Sequence, residues 1–340
     1  MSASLVIQTS FLGDTVLTTP LLMQLARRGP VDVVTTPASA ALLRNHPAVH
    51  ELIAYDKRGL DRGVLGFIAL ARRLRATNYE IAFLAQGSWR SALLAIAAGV
   101  PTRVGFSTSA GRLLYTKRVA YRDDLHHAAR LLMLARPNGR EPSQPELRPS
   151  LHPGEVERAE VDALLTRHGL TSDEILVAIA PGSVWATKRW PYYAELAEAL
   201  RDDVRVVVLG GADDSILAQA IVAAAPGAID ATGHLSLLAS AELIGRANVL
   251  VTNDSAPLHL ASAMGTPTLA IFGPTVPEFG FGPLAPRNVV MGHDALPCRP
   301  CDRHGPQRCP LGHHRCMRDL EPAAVAQQVR SLLLTPDVHA

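Results

Sequence analysis

The chain has 340 residues, of which 48% are hydrophobic and 19% charged, and its formal net charge is only +2. This length and apolar content are enough for two packed cores, which excludes a globally disordered chain. The small net charge gives no indication of a nucleic-acid partner, and no segment approaches the roughly 18 consecutive apolar residues of a membrane-spanning helix. The opening residues carry no basic segment before their apolar run, so we predict no targeting peptide and a cytoplasmic location.

In the first half of the chain, short apolar segments alternate with amphipathic ones, which is typical of an α/β fold with a parallel sheet. The predicted strands are 4–9, 31–36, 51–55, 80–85 and 102–106. The predicted helices between them include 15–28, 63–75 and 88–98.

A segment rich in proline and glycine, RPNGREPSQPELRPSLHPGE (136–155), then interrupts the pattern and is predicted to be an interdomain linker. After a helix at 155–168 the alternation resumes, with a final helix at 321–334. The second set of predicted strands is 175–180, 204–210, 228–232, 248–253 and 268–273. We therefore predict domains at 1–150 and 151–320, with the C-terminal segment 321–340 treated separately.

The first chemical motif is QTSFLGDTVLTTP (8–20), in which a strand ends, Gly13 turns the chain and Asp14 opens a helix. Asp14 has two interpretations that stay open here. It is either a helix N-cap, or a carboxylate at the carboxyl end of the strand that acts as a general base. The glycine fingerprint of dinucleotide-binding folds is missing, which argues against a dehydrogenase.

The second motif is PGSVWATKRWP (181–191), a strand-to-helix loop that carries Lys188, one of only three lysines. Backbone N–H groups in such a loop favour phosphate, Ser183 and Thr187 offer hydroxyl groups, and Lys188 adds a mobile positive charge. The G-K-[ST] ending of a Walker loop is absent. The alternative is an ordinary solvated loop in which Trp185 and Trp190 only pack.

The third motif is VTNDSAPLHLASAMGTPTLAIFGPT (251–275), in which a buried strand ends in Asn253, Asp254 and Ser255. Ser255 and His259 are four residues apart and share a helix face. The stretch FGPT ends the next strand in a turn with a further hydroxyl. The alternative for His259 is a buried structural histidine.

The fourth motif, LGGADD (209–214), follows a strand. Its Gly211 permits close backbone approach, and Asp213 could accept a hydrogen bond from a ribose. The alternative is a turn followed by acidic residues at the start of a helix, and we favour this alternative for Asp214.

A basic and apolar segment, 57–80, combines Arg58 and Arg62 with Leu65 and Phe67. Such a helix could lie on an anionic membrane or bind lipid phosphates. The alternative, a surface helix whose apolar face belongs to the core, explains the pattern as well.

All four cysteines fall near the C-terminus, at Cys298, Cys301, Cys309 and Cys316. The Cys-x2-Cys pair is typical of structural zinc, but the second pair has a spacing of six residues, wider than zinc motifs usually have. Free thiols and an oxidation-dependent disulfide remain the alternatives.

Together these residues resemble glycosyltransferase family 9. The resemblance rests on SFLGDTVLTTPLL, PGSVWATKRWP, TNDSAPLHLASAMGTPTLAIFGPT and CPLGHHRCM, whose order covers nearly the whole chain. Within the family, the chain most resembles the ADP-heptose:lipopolysaccharide heptosyltransferases. Its cysteine-rich end resembles those that add the second heptose. It implies a GT-B fold, in which two Rossmann-like domains bind acceptor and donor and the last helix returns to the first domain.

The resemblance also implies an inverting transfer from ADP-heptose to the inner core of lipopolysaccharide, without a required cofactor. Asp14 would be the general base and Lys188 would neutralise the departing diphosphate. Acceptor contacts are expected from Gly13 and Arg62. Together with the loop arguments above, donor contacts are expected from Gly182, Ser183, Thr187, Gly211, Asp213, Asn253, Asp254, Ser255 and His259.

We further expect a monomer that acts at the inner membrane surface on a lipid A-core acceptor. Rival functions are heptosyltransferase I, another sugar transferase of the family, a nucleotide-sugar hydrolase or epimerase, and a non-catalytic nucleotide-sugar-binding protein. Loss of transfer with retained donor binding on replacing Asp14 would separate a transferase from the other classes.

Overall fold

The computed structural model describes residues 3–136, 140–171 and 173–334. The chain divides into two compact units, Met1–His152 and Pro153–Ala340. Each unit contains a sheet of six parallel strands.

The first unit alternates strands and helices from its first described residues. Its strands are β1 (Ser4–Gln8), β2 (Val31–Thr35), β3 (Glu51–Ala54), β4 (Ile81–Leu84), β5 (Thr102–Phe106) and β6 (Lys117–Val119). Its helices are α1 (Leu12–Ala26), α2 (Pro37–Leu43), α3 (Gly63–Ala76), α4 (Trp89–Ala97), α5 (His127–Ala135) and α6 (Gln144–Leu147).

The first sheet has the strand order β3-β2-β1-β4-β5-β6. The central strand β1 pairs with β2 on one side, Ser4 opposite Val31, and with β4 on the other, Ser4 opposite Ile81. Leu5, Val6 and Ile7 are completely buried, because helices cover both faces of a doubly wound parallel sheet.

The second unit repeats this alternation. Its strands are β7 (Leu176–Ala180), β8 (Arg205–Val208), β9 (Ile229–Asp230), β10 (Val249–Asn253), β11 (Thr268–Phe272) and β12 (Asn288–Gly292). Its helices are α7 (Glu155–Arg167), α8 (Tyr193–Leu200), α9 (Ser215–Ala224), α10 (Leu237–Arg246), α11 (Ala256–Met264), α12 (Arg315–Arg318) and α13 (Pro322–Leu334).

The second sheet has the order β12-β11-β10-β7-β8-β9, in which β7 and β10 are the central pair. Read from its other edge, this is the same order as in the first sheet. Each sheet is therefore a Rossmann-like sheet, as the sequence predicted.

The final helix α13 has its buried face in the second unit. Val325 and Val329 are completely buried in the core that also contains residues of α8 and the central strands. The structure thus includes this helix in the second unit, whereas the sequence treated 321–340 separately. Its return to the first domain stays a prediction, and residues 335–340 lie outside the described residues.

The predicted linker is more ordered than its composition indicates, although residues 137–139 lie outside the described part of the chain. Arg136 forms an ion pair with Glu146, with 2.7 Å between Nη2 and Oε1. Further along, the Ser150 amide donates to Thr19 Oγ1 at 3.0 Å. These contacts attach the segment to the first unit, which ends at His152, while the predicted domain bounds stay predictions.

Candidate functional site

The strand order places one switch point in each sheet, where successive connections run in opposite directions. In the first sheet it lies between β1 and β4, and in the second between β7 and β10. Ligands of doubly wound folds bind beyond the carboxyl ends of the strands at this point. Asp14 follows β1, Lys188 follows β7 and Asp254 follows β10.

Asp14 is the third residue of α1, and Phe11 occupies the N-cap, so the N-cap interpretation of Asp14 is wrong. Its carboxylate is 19% exposed. Ser10 Oγ lies 2.5 Å from Asp14 Oδ2 and donates to it, and Thr18 Oγ1 donates to the Asp14 carbonyl at 2.7 Å. A carboxylate in the first helical turn also interacts favourably with the helix dipole. The Asp14 carboxylate is thus oriented by a hydrogen bond from Ser10 and is still partly accessible to solvent.

His127, the first residue of α5, stands beside this carboxylate, with its Nε2 3.8 Å from Asp14 Oδ1. Burial lowers the pKa of His127 below its ordinary value. The charge of Asp14 opposes this shift, and Arg130 adds to it. We expect the imidazole to be neutral at pH 7, which leaves Asp14 without a full ion pair. Sequence reasoning missed His127, because its proximity to Asp14 arises from the packing of α5 against α1.

Lys188 ends a short 3₁₀ turn, Ala186–Lys188, in the loop after β7. Its Nζ lies 2.5 Å from Asp254 Oδ2, and Thr275 Oγ1 donates to the same oxygen at 2.7 Å. The two charged side chains are 8% and 12% exposed. In the described part of the chain this ammonium group has one hydrogen-bond acceptor, Asp254, so two of its three donors can serve a further acceptor, and its contact with a phosphate group stays a prediction.

Asn253 is completely buried, and its predicted donor contact stays a prediction. Its Oδ1 accepts from the Trp190 amide at 3.1 Å and from the Tyr193 hydroxyl at 3.0 Å. Its Nδ2 donates to the Pro181 carbonyl at 2.9 Å. These bonds join the end of β10 to the loop after β7 and to the first residue of α8, so Asn253 positions the two loops that carry Lys188 and Asp254.

In the loop 181–191 that carries Lys188, some of the other side chains are buried and others are exposed. Thr187 is buried, and its hydroxyl donates to the Pro306 carbonyl, so this hydroxyl is occupied within the protein instead of facing a donor. The Ser183 side chain is partly exposed, and its carbonyl accepts from Arg189 Nε at 2.9 Å. The contact of the Ser183 hydroxyl with a phosphate group stays a prediction.

Asp214 has the structural role at a helix start that we favoured for it from the sequence. A Cβ on Gly182 or on Gly210 would collide with the Asp214 carboxylate, which explains why both positions are glycine. Asp214 Oδ2 also accepts from the Gly211 amide at 3.0 Å. Gly211 and Asp213 are exposed, and their contacts with a donor stay predictions.

The start of α11 carries the last predicted donor residues. Ser255 is the N-cap, and its Oγ lies 3.4 Å from Thr252 Oγ1. His259, one turn further, is 5% exposed and lies edge-on to Phe281, with 6.3 Å between ring centroids. Ser255 is thus placed at the ligand edge of the sheet, while His259 lies inside, and its donor contact stays a prediction.

The two predicted acceptor residues lie on different elements of the first unit. Gly13 is buried in the first turn of α1, next to Asp14. Arg62 is exposed at the N-cap of α3. Their contacts with an acceptor stay predictions.

The four cysteines are free thiols. Burial raises the pKa of Cys301, and it raises that of Cys316 to about 11; in both cases neighbouring thiols add to the shift. At Cys309 burial also raises the pKa, but hydrogen bonds from the backbone N–H groups of residues 311–314 outweigh it, and the pKa is lowered. Among the described residues, no three His, Cys, Asp or Glu side chains are arranged to hold a metal ion. The zinc prediction therefore has no support.

Comparison with known proteins gives a consistent result. The model of glycosyltransferase family 9 (heptosyltransferase) matches residues 67–309. Lipopolysaccharide heptosyltransferase 2 of Salmonella typhimurium is 30% identical over 97% of this chain and 98% of its own length. Lipopolysaccharide heptosyltransferase 1 of Pseudomonas aeruginosa is 29% identical over 98% of both chains.

Solved structures agree with this result. A family 9 glycosyl transferase from Veillonella parvula superimposes with a TM-score of 0.87, at 26% identity over 98% of this chain and 97% of that one. ADP-heptose lps heptosyltransferase II of Escherichia coli gives a TM-score of 0.79, at 26% identity over 98% and 99%. The chain is a glycosyltransferase with the GT-B architecture, and it belongs to glycosyltransferase family 9.

Proposed function

We propose that this enzyme transfers L-glycero-D-manno-heptose from ADP-heptose to the inner core of lipopolysaccharide and adds the second heptose. The observation that carries the proposal is the buried Lys188–Asp254 pair at the switch point of the second sheet. It supplies a fixed positive charge where a nucleotide diphosphate would bind. The similarity to heptosyltransferases 2 over nearly the full chain supports the choice of sugar and acceptor.

In this proposal Asp14 activates the acceptor. Its carboxylate accepts the proton of an acceptor hydroxyl as that oxygen attacks the anomeric carbon of the heptose. The new carbon–oxygen bond forms opposite the leaving ADP, so the anomeric configuration inverts. The hydrogen bond from Ser10 holds the carboxylate in one orientation, which reduces the entropy lost when the acceptor binds.

Lys188 acts on the other end of the bond that breaks. As the bond from the anomeric carbon to the phosphate oxygen lengthens, negative charge grows on ADP, and the ammonium group stabilises it. Asp254 and Thr275 keep this ammonium in place before the donor arrives. Side chains supply both the base and the charge stabilisation, so we propose that no cofactor is required and that transfer continues in EDTA.

The experiment that tests this function measures ADP release from ADP-heptose with two acceptors. One is a lipid A core with a single heptose, and the other is the same molecule without heptose. Release only with the heptosylated acceptor supports addition of the second heptose. Release only with the other assigns the first addition, and equal release with no acceptor identifies a hydrolase. Donor binding without any release would support a non-catalytic binding protein.

We also propose that the enzyme works as a monomer at an anionic membrane surface, where its lipid acceptor lies. On α3, Leu70 and Leu74 are buried in the core, but Val64 and Leu65 at its start are 72% and 82% exposed. The preceding Leu60 is 97% exposed. Among the described residues, no helix is long and apolar enough to cross a membrane. Exposed leucines beside Arg58 and Arg62 are suited to the interface of an anionic bilayer.

Replacing Leu60 and Leu65 with serine should weaken binding to vesicles of mixed phosphatidylglycerol and phosphatidylethanolamine by about tenfold, because apolar area is no longer buried in the bilayer. Cosedimentation measures this binding. The control replaces Leu311 and Leu334, which are 64% and 83% exposed on the second unit, and should bind as the unchanged enzyme does. Equal binding by all three proteins would contradict the proposal, and sedimentation velocity without vesicles tests the monomer.

A further inference from the structure

The cysteine-rich end of the chain contacts the loop that carries Lys188. Gln307 forms two hydrogen bonds with it: its Oε1 accepts from the Ala186 amide at 3.1 Å, and its Nε2 donates to the Val184 carbonyl at 3.0 Å. His314 Nε2 lies 2.9 Å from the Thr187 carbonyl and donates to it when that nitrogen carries the proton. Two side chains thereby hold the backbone at three of the four positions before Lys188, namely 184, 186 and 187.

Further contacts lie between these hydrogen bonds. The His304 ring stacks on Trp185, with 5.2 Å between centroids and 11° between ring planes. Lys188 Nζ in turn lies 5.4 Å from the centre of the Trp185 ring, within the range of a cation–π interaction. The aromatic side chain therefore connects the C-terminal segment directly to the ammonium group.

Gly305 brings the segment close to the lysine itself. Its φ of +81° is in the left-handed region, and a Cβ there would lie 3.4 Å from Lys188 Cε and 3.1 Å from Pro274 Cγ. A side chain at this position would be strained and would press on the lysine stem. The absence of one lets the backbone cover Lys188, whose side chain is only 8% exposed.

From these contacts we propose that residues 304–314, here called the clamp segment, position Lys188 for the donor diphosphate, and that Gln307 and His314 are its positioning residues. This inference rests on the proposed function of Lys188. The backbone of the motif PGSVWATKRWP holds Lys188 by one short 3₁₀ turn, in which the Lys188 amide donates to the Trp185 carbonyl at 3.0 Å, and the clamp segment adds contacts from outside the motif. An ordered cation before binding lowers the entropy lost when the diphosphate binds.

The surface location of Gln307 allows a clean test, since its loss removes two hydrogen bonds without opening the core. Gln307→Ala should raise the Kd for ADP by about 3- to 10-fold and lower kcat/KM for the donor similarly, with KM for the acceptor unchanged. Gln307→Glu, which can accept but not donate, should lose less. The matched control is Gln327→Ala, because Gln327 is also an exposed glutamine but lies on α13, outside the clamp segment.

A double-variant cycle separates positioning from a general loss of structure. In a Lys188→Ala background, Gln307→Ala should have no further effect on ADP affinity, because the group it positions is gone. A full additional loss in that background would overturn the inference, as would unchanged ADP affinity of Gln307→Ala alone. If Lys188→Ala itself bound ADP like the unchanged enzyme, the proposed role of Lys188 would fail instead. Circular dichroism and thermal unfolding verify that each variant folds.

Discussion

Asp14→Asn should lower kcat by about 10³-fold while the Kd for ADP stays within about twofold, because the amide cannot accept the acceptor proton. The substitution preserves the size of the side chain. The Oδ1 atom of the asparagine can still accept the hydrogen bond from Ser10. The hydrogen bond from Thr18 goes to the backbone carbonyl of residue 14 and is unaffected. The expected loss therefore reports on chemistry and not on the folding of α1. ADP release with saturating acceptor measures kcat, and calorimetry measures the affinity.

Ser10→Ala should have a smaller effect than Asp14→Asn on the same step. It removes the hydrogen bond that orients the carboxylate but leaves the base, so we expect a decrease in kcat of only about tenfold. A rate for Asp14→Asn close to that of the unchanged enzyme would exclude Asp14 as the base. If both variants lost ADP affinity equally, the motif would belong to donor binding instead.

The second large effect is expected at the Lys188–Asp254 pair, where activity and stability should separate. Lys188→Met removes the cation that stabilises the leaving group, and we expect kcat to decrease by about 10³-fold. It also leaves the 12% exposed Asp254 carboxylate without its counter-ion, which should lower the free energy of unfolding by about 3 kcal/mol. Urea denaturation and ADP release measure the two losses on the same protein.

Combining Lys188→Met with Asp254→Asn should restore most of the stability but none of the activity. The asparagine removes the uncompensated charge, and its carbonyl oxygen can still accept from Thr275, which is almost completely buried. Activity stays low because the ammonium group is still missing. Recovery of transfer in the double variant would show that Lys188 has a structural role only, and our assignment of its chemistry would be wrong.

The strands of both sheets were largely predictable, because a buried parallel strand is a short and continuous apolar run. All ten predicted strands form, and each end agrees within two residues. The two strands that sequence reasoning missed, β6 and β12, each lie at a sheet edge. β6 has only three residues, two of them charged and exposed, and β12 is only partly buried, so neither shows an uninterrupted apolar pattern.

The loops of the candidate site were predictable, but the direction of their side chains was not. Chain order and the parallel sheet place Asp14, Lys188 and Asp254 at carboxyl ends of strands, which the sequence indicates directly. Irregular loops have no periodicity that distinguishes inward from outward positions. Thr187 and Asn253, both predicted to face the donor, form hydrogen bonds inside the protein. The positions of His127 and Asp214 depend on contacts between elements that are distant in the sequence.

The separation of the two sheets has a consequence for biosynthesis. Each strand pairing of the described structure stays within one sheet: the first sheet is complete at Val119, and the second begins at Leu176. During synthesis, the first half of the chain can therefore finish folding before the second half exists. This order reduces wrong pairing between strands of two sheets that have the same strand order. The nascent chain is most exposed to wrong strand pairing earlier, while the first sheet is still incomplete. One edge of β1 stays open until Ile81 has been synthesised and β4 can cover it, so chaperone binding to the nascent chain is expected there.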